Sequence, residues 1–155
     1  MLGVTASAMA TAAGAEVVVA DPDPVRLAPA ARFGAVDGQP AREAYDAALE
    51  LSGHPAAVAQ CVEALRIGGR AVLAGSVSAG PPVGIDPERA VRGPLTSTGV
   101  HNYRPADLVG GVAFLAEHHQ RYPFADLVGP GHPLDRIDAA FTSDQRGVLR
   151  QAVVP

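Results

Sequence analysis

The chain has 155 residues, 48% of them hydrophobic and 5% aromatic, so it can bury a core and is too apolar for a disordered segment. A net charge of −4, with no stretch concentrating Lys and Arg, excludes a nucleic-acid footprint. The single cysteine excludes an intrachain disulfide framework and a multi-cysteine zinc centre. No charged leader precedes an apolar stretch, and no apolar run nears the ~20 residues of a membrane span, so the expectation is no membrane partner and a cytoplasmic location.

Residues 5–13 are small and helix-compatible, and Gly14 stands where a C′ glycine closes a helix. Val17–Ala20 is a short continuous apolar strand, the pattern of a strand covered on both faces, and Asp21-Pro22 ends it. A second helix is expected over 23–33, bent or divided by Pro29. "YDAALEL" (45–51) reads as a strand followed by Ser52-Gly53. Pro55 suits the first turn of a helix whose apolar stripe is Val58, Cys61, Val62 and Leu65, which makes Cys61 a core residue. Gly68-Gly69 stops that helix, and "RAVLA" (70–74) is a buried strand ending at Gly75-Ser76. After the loop "SAGPPVG", a strand is expected at about 95–101, then a helix from Pro105 to His119 with Leu108, Val112 and Leu115 on one face. The tail is expected to hold a weak strand near 125–128, a short helix at 135–142 and a strand at 149–154.

Apolar strands alternating with helices predict an α/β, Rossmann-like, doubly wound parallel sheet, in which ligands sit beyond the carboxyl ends of the strands. Those ends are Asp21, Ser52-Gly53, Gly75-Ser76 and Gly99-Val100-His101. Three of the four are small and give a ligand access to the backbone. Gly3 opens a helix, and Asp21 follows 21 − 3 = 18 residues later. In a dinucleotide fold the last fingerprint glycine packs helix on sheet and the helix amides hold pyrophosphate, while an acid after the second strand accepts ribose hydroxyls. Asp21 serves equally as a turn-former or N-cap, and Arg26 reads more simply as a solvated helix residue than as a phosphate contact. His118-His119 lack the i, i+4 spacing of a shared metal site and suit a helix C-terminus instead. His101 is a strand-end histidine. No nucleophile elbow or carboxylate pair is present, so the residues by themselves assign no catalytic group.

From "MLGVTASAMATAAGAEVVVADPDPVR" through "ALELSGHPAAVAQCVEALRIGGRAVLAGS" to "LTSTGVHNYRPADL", the chain resembles the cofactor domain of the zinc-dependent medium-chain alcohol dehydrogenases. "GVHNYRPADLVGGVAFLA" followed by "YPFADLVG" is most similar to the members associated with phosphonate catabolism.

The resemblance implies NAD as cofactor. The amides of Met1 and Leu2 would lie near the pyrophosphate, with Gly3 as the closing glycine, Asp21 as ribose acceptor and Arg26 near the adenosine phosphate. Ser52 and Gly53 would border the adenosine side; Gly75, Ser76, Val77, Gly99, Val100 and His101 would line the nicotinamide pocket. It further implies a homodimer through the 95–101 edge strand, and a small alcohol substrate only in a full-length enzyme. On this reading residues 1–122 form a partial NAD-binding domain lacking its first strand. Residues 123–155 would rejoin a catalytic domain that, with its zinc ligands, is absent here, which leaves the tail's strands without evident partners. Only Val36–Ala44 is available for the usual third strand and its crossover helix. The alternatives are a non-enzymatic oligomerisation module or remnant, and a methyltransferase-like fold using Asp21 for an adenosyl ribose.

Overall fold

Every strand pair among the described residues of the computed structural model is parallel, as apolar strands joined by helical crossovers require. The structure describes residues 1–143 and 148–155. In chain order the elements are α1 (Leu2–Ala12), β1 (Val18–Val19), α2 (Pro24–Leu27), β2 (Val36–Asp37), β3 (Tyr45–Glu50), α3 (Pro55–Ala64) and β4 (Leu65–Leu73). There follow α4 (Pro87–Arg92), β5 (Thr96–Gly99), α5 (Pro105–His118), β6 (Val128–Pro133), α6 (Ile137–Thr142) and β7 (Arg150–Val154). Among the described residues three hydrogen-bonded sheets result, β1-β2, β3-β4-β5 and β6-β7. Within its own sheet each strand pair is joined by the crossover connection of a doubly wound fold. The chain forms two compact units, residues 1–38 with 105–155, and residues 39–104.

In the first unit, α1 buries Val4, Ser7 and Ala8, one helical stripe of small residues. Its end is a Schellman turn: Gly14, at φ +88°, donates to Thr11 O, and Ala15 donates to Ala10 O. Pro29 divides the next segment as expected, into α2 and a 3-10 turn at Ala30–Phe33. β1 is shorter than predicted and Val18 is exposed, because its two-stranded sheet leaves that face uncovered. The core gathers Val4, Ala8, Phe33, Tyr122 and Leu127, with Phe114, Phe124 and Leu149 against it.

One expectation fails here, that of a strand near 125–128, and the face that α5 buries was not anticipated. α5 turns Phe114 and His118 inward, their rings 4.5 Å apart, and leaves Leu108, Val112 and Leu115 exposed. Aromatic packing on Tyr122 and Phe124 outweighs the aliphatic stripe. Residues 124–127 form a 3-10 turn, with the strand following at 128–133, where His132 and Pro133 pair beside Val153 and Val154. The tail's two strands therefore partner each other.

The second unit is the sheet β3-β4-β5 with α3 and α4. Helix α3 starts on His54, whose Nδ1 accepts the Ala56 amide, and on Pro55 at its first turn. It stops at Ala64, four residues before the double glycine, and Leu65 already pairs with Tyr45. Gly68-Gly69 instead lie in an excursion of β4, since the register resumes only at Ala47 opposite Arg70. The early stop follows from Arg89 on α4. Its Nη2 donates to the carbonyls of Val62 (3.2 Å), Glu63 (3.1 Å) and Leu65 (2.7 Å), capping the helix from outside. Helix α4 itself was not anticipated, although Asp86 as N-cap before Pro87 signals it.

Candidate functional site

Parallel strands bring their carboxyl ends to one edge of a sheet, so β3, β4 and β5 present Ser52-Gly53, Gly75-Ser76-Val77 and Gly99-Val100-His101 together. The ends are laced by backbone bonds. Ala74 and Gly75 donate to Glu50 O, Val77 donates to Gly75 O, and Val100 donates to Leu73 O. The Ser52-Gly53 and Gly75-Ser76 turns touch directly. A Cβ on Gly53 would lie 2.5 Å from Gly75 O, and one on Gly75 would lie 2.5 Å from Ser52 N. These glycines are therefore required by each other. Ser52, Ser76, Val77, Gly99, Val100 and His101 are exposed beside them.

Beneath the turns lies Glu50, 1% exposed, which the sequence reading passed over. Its Oε1 accepts Ser52 N, Ser52 Oγ and Gly53 N, each at 2.7 Å, and its Oε2 stands 3.5 Å from Ser76 Oγ. Burial pushes its pKa up, but the combined donors of Ser52, Gly53 and Ser76 outweigh that and hold it below the ordinary value. Its sequence signal is an acid closing an apolar strand just before Ser-Gly. Cys61, half-buried on α3, has its thiol pushed up by burial first and then by the Glu50 charge, as suits a core thiol and not a reactive one.

In the first unit, α1 has no side-chain cap and no acid in its first turn, which leaves its leading amides open to an anion. Met1, Leu2 and Gly3 form that turn. A Cβ on Gly3 would meet nothing within 4 Å, so close packing is not what calls for glycine there. Burial, then Arg150 and Arg26, depress the Met1 amine, while Asp21 opposes them, so all three charges act at this end of α1. Arg150 was not anticipated. Asp21 Oδ1 accepts the Asp23 amide at 2.9 Å, which realises its turn-forming role. Arg26 is exposed and pairs with Asp23 at 3.4 Å.

No group of three or more His, Cys, Asp or Glu among the described residues could hold a metal. No helix is long and apolar enough to cross a membrane, among the described residues.

The family described as zinc-binding dehydrogenase matches residues 2–117. No curated protein sequence matches the chain. Among solved structures, 2R,3R-butanediol dehydrogenase from Bacillus subtilis is 24% identical with a TM-score of 0.76, over 99% of this chain and 48% of that one. A zinc-binding-domain alcohol dehydrogenase from Burkholderia ambifaria is 27% identical with a TM-score of 0.77, over 99% and 46%. Haloferax mediterranei glucose dehydrogenase, solved with NADP, zinc and gluconolactone, is 21% identical with a TM-score of 0.68, over 88% and 42%. The chain thus spans about half the length of these enzymes. The methyltransferase-like alternative falls with these matches: the chain belongs to the zinc-binding dehydrogenase family.

Proposed function

We propose that the chain is the nicotinamide-dinucleotide-binding portion of a zinc-type alcohol dehydrogenase and does not complete hydride transfer alone. The observation that carries this reading is the family match; within one unit an edge of exposed strand ends, and within the other an uncapped α1, agree with it. The first-turn amides of α1 suit a pyrophosphate, and the open space at Gly3 admits one. Asp21 would accept ribose hydroxyls through the carboxylate oxygen not used in its turn, and its charge would meet a 2′-phosphate unfavourably, which favours NAD over NADP.

Bound nicotinamide would supply the hydride acceptor; this chain's residues would bind and orient it. The family's zinc polarises the alcohol oxygen, but the described residues do not offer a donor set for it. No step is assigned to zinc. The "GVHNYRPADL" stretch supports placing the protein with the phosphonate-associated members; a small alcohol would be the substrate only of a full-length enzyme, in the cytoplasm.

Fluorescence or calorimetric titration with NADH tests the reading. A dissociation constant below ~1 mM supports it, and no response at several millimolar overturns it. Asp21→Asn keeps the turn acceptor and removes the charge, so it should narrow the gap between NADH and NADPH.

A second reading, a non-enzymatic oligomerisation module, is favoured by β5. All four of its residues are exposed, and among the described residues it is the edge of its sheet, bonded only to β4. A dimer in light scattering without any NADH response would select this reading.

A further inference from the structure

We propose that Glu50 is a positioning residue whose buried carboxylate gathers the Ser52-Gly53 and Gly75-Ser76 turns into the surface that meets the dinucleotide. This rests on the cofactor reading above. A buried carboxylate is costly unless charge or hydrogen bonds compensate it. No ion pair among the described residues includes Glu50. Compensation comes from the two turns: three donors at 2.7 Å from Ser52 and Gly53, and the longer contact from Ser76. Charge-assisted bonds are stronger and more directional than neutral ones, so the charge is spent on fixing these loops.

A leucine here would fill much of the same space without that cost. What it would lose is the local order of the turns, since the Glu50 carbonyl already ties Ala74 and Gly75 to the same strand end. One residue thus holds the β3 turn with its side chain and the β4 turn with both side chain and backbone. At 1% exposure the carboxylate lies below the surface. It therefore acts on a ligand through Ser52, Gly53 and Ser76, and the nearby titratable group is the Cys61 thiol on α3. Ligand binding then finds the turns already ordered and forgoes the cost of ordering them.

The test compares the 155-residue chain with Glu50→Gln and Ser52→Ala. Amide spectra and hydrogen exchange read the Ser52 and Gly53 N–H groups without ligand, and NADH fluorescence reads binding. In E50Q both amide resonances should move upfield, exchange should quicken at those two positions and not through β3 and β4, and NADH affinity should fall about tenfold. Ser52→Ala, which keeps both backbone donors, should show a smaller loss of the same kind; it decides the matter if E50Q does not fold. Unchanged Ser52 and Gly53 exchange, or exchange quickened across the whole sheet, overturns the positioning role. NADH binding by the wild type with equal affinity in E50Q overturns that role alone. A wild type that binds no NADH overturns the cofactor reading and the role with it.

Discussion

The phenol oxygen of Tyr122 lies 2.9 Å from Oγ1 of Thr11, joining α1 to a residue 111 positions later in the same unit. Thr11 Oγ1 also approaches Ser7 O at 2.9 Å, Ala8 O at 3.2 Å and Phe33 O at 3.3 Å. A hydroxyl has one proton, so when Thr11 donates to a carbonyl the phenol donates to Thr11. Tyr122 is 3% exposed and its ring packs near-parallel to Phe33, at 6.1 Å. The segment after α5 is therefore part of the core around α1.

Tyr122→Phe removes only this bond, because Thr11 keeps its carbonyl acceptors. It should cost ~1 kcal/mol in urea unfolding. Tyr122→Ala also empties the aromatic cluster and should cost ~3–5 kcal/mol. Equal losses in the two variants would show that the bond, not the ring, holds the segment.

Gly75 and Gly3 should respond oppositely to alanine. At Gly75 the new Cβ would lie 2.5 Å from the Leu51 carbonyl carbon, inside backbone that cannot rotate away. Gly75→Ala should destabilise the protein by ~3 kcal/mol or more, by forcing the strand ends apart. At Gly3 the Cβ meets open space, so Gly3→Ala should be neutral or stabilising by up to ~1 kcal/mol, as alanine favours helix. If pyrophosphate comes onto this turn, G3A should still weaken NADH binding while thermal stability holds.

How far these features were legible depends on which interactions are local. The Gly14 turn, the break at Pro29 and the Pro55 start depend on residues next to them, and each appears where the sequence places it. The end of α3 depends on Arg89, 24 residues beyond Leu65, and no local rule announces it. The buried face of α5 was not legible for a related reason. Leu108, Val112 and Leu115 make the better aliphatic stripe, yet Phe114 meets Tyr122 and Phe124, which only tertiary structure brings near. At the strand ends the glycines pointed to the right place for an incomplete reason, because the pattern cannot show that Gly53 and Gly75 touch or that a carboxylate lies below them.

Arg89 should behave as a structural clamp. Its side chain is 17% exposed, its Nη1 pairs with Glu43, and its Nε is buried with no partner among the described residues. Arg89→Ala frees three carbonyls at the end of α3 and should cost ~2–4 kcal/mol in urea. Arg89→Lys should recover only part of this, since an ammonium cannot reproduce the planar fork. Glu43→Ala, removing a 62% exposed carboxylate, should cost under ~1 kcal/mol. A Glu43→Ala loss matching Arg89→Ala would place the stabilisation in the ion pair instead of the helix cap.

The pH dependence follows from two groups shifted in opposite directions, buried Glu50 and half-buried Cys61. Glu50 has a folded pKa below 4.5, so as pH falls past 4.5 the unfolded carboxylate takes its proton first. Its contribution is complete above that value and is lost as pH drops through the folded pKa. Cys61 has a folded pKa above 9.0, so as pH rises past 9.0 the unfolded thiol ionises first. Its contribution is complete below that value and is lost as pH climbs through the folded pKa. Urea midpoints across pH should therefore fall on both limbs. Glu50→Gln should flatten the acid limb, because the ionisable group is gone, and leave the alkaline limb in place. Cys61→Ser should flatten the alkaline limb alone. Because the thiol is half-buried and its pKa raised, native Cys61 should also react slowly with a disulfide reagent at pH 8 and quickly once urea unfolds the chain. An acid limb equally steep in E50Q would mean that other carboxylates, and not the one beneath the strand ends, control acid unfolding.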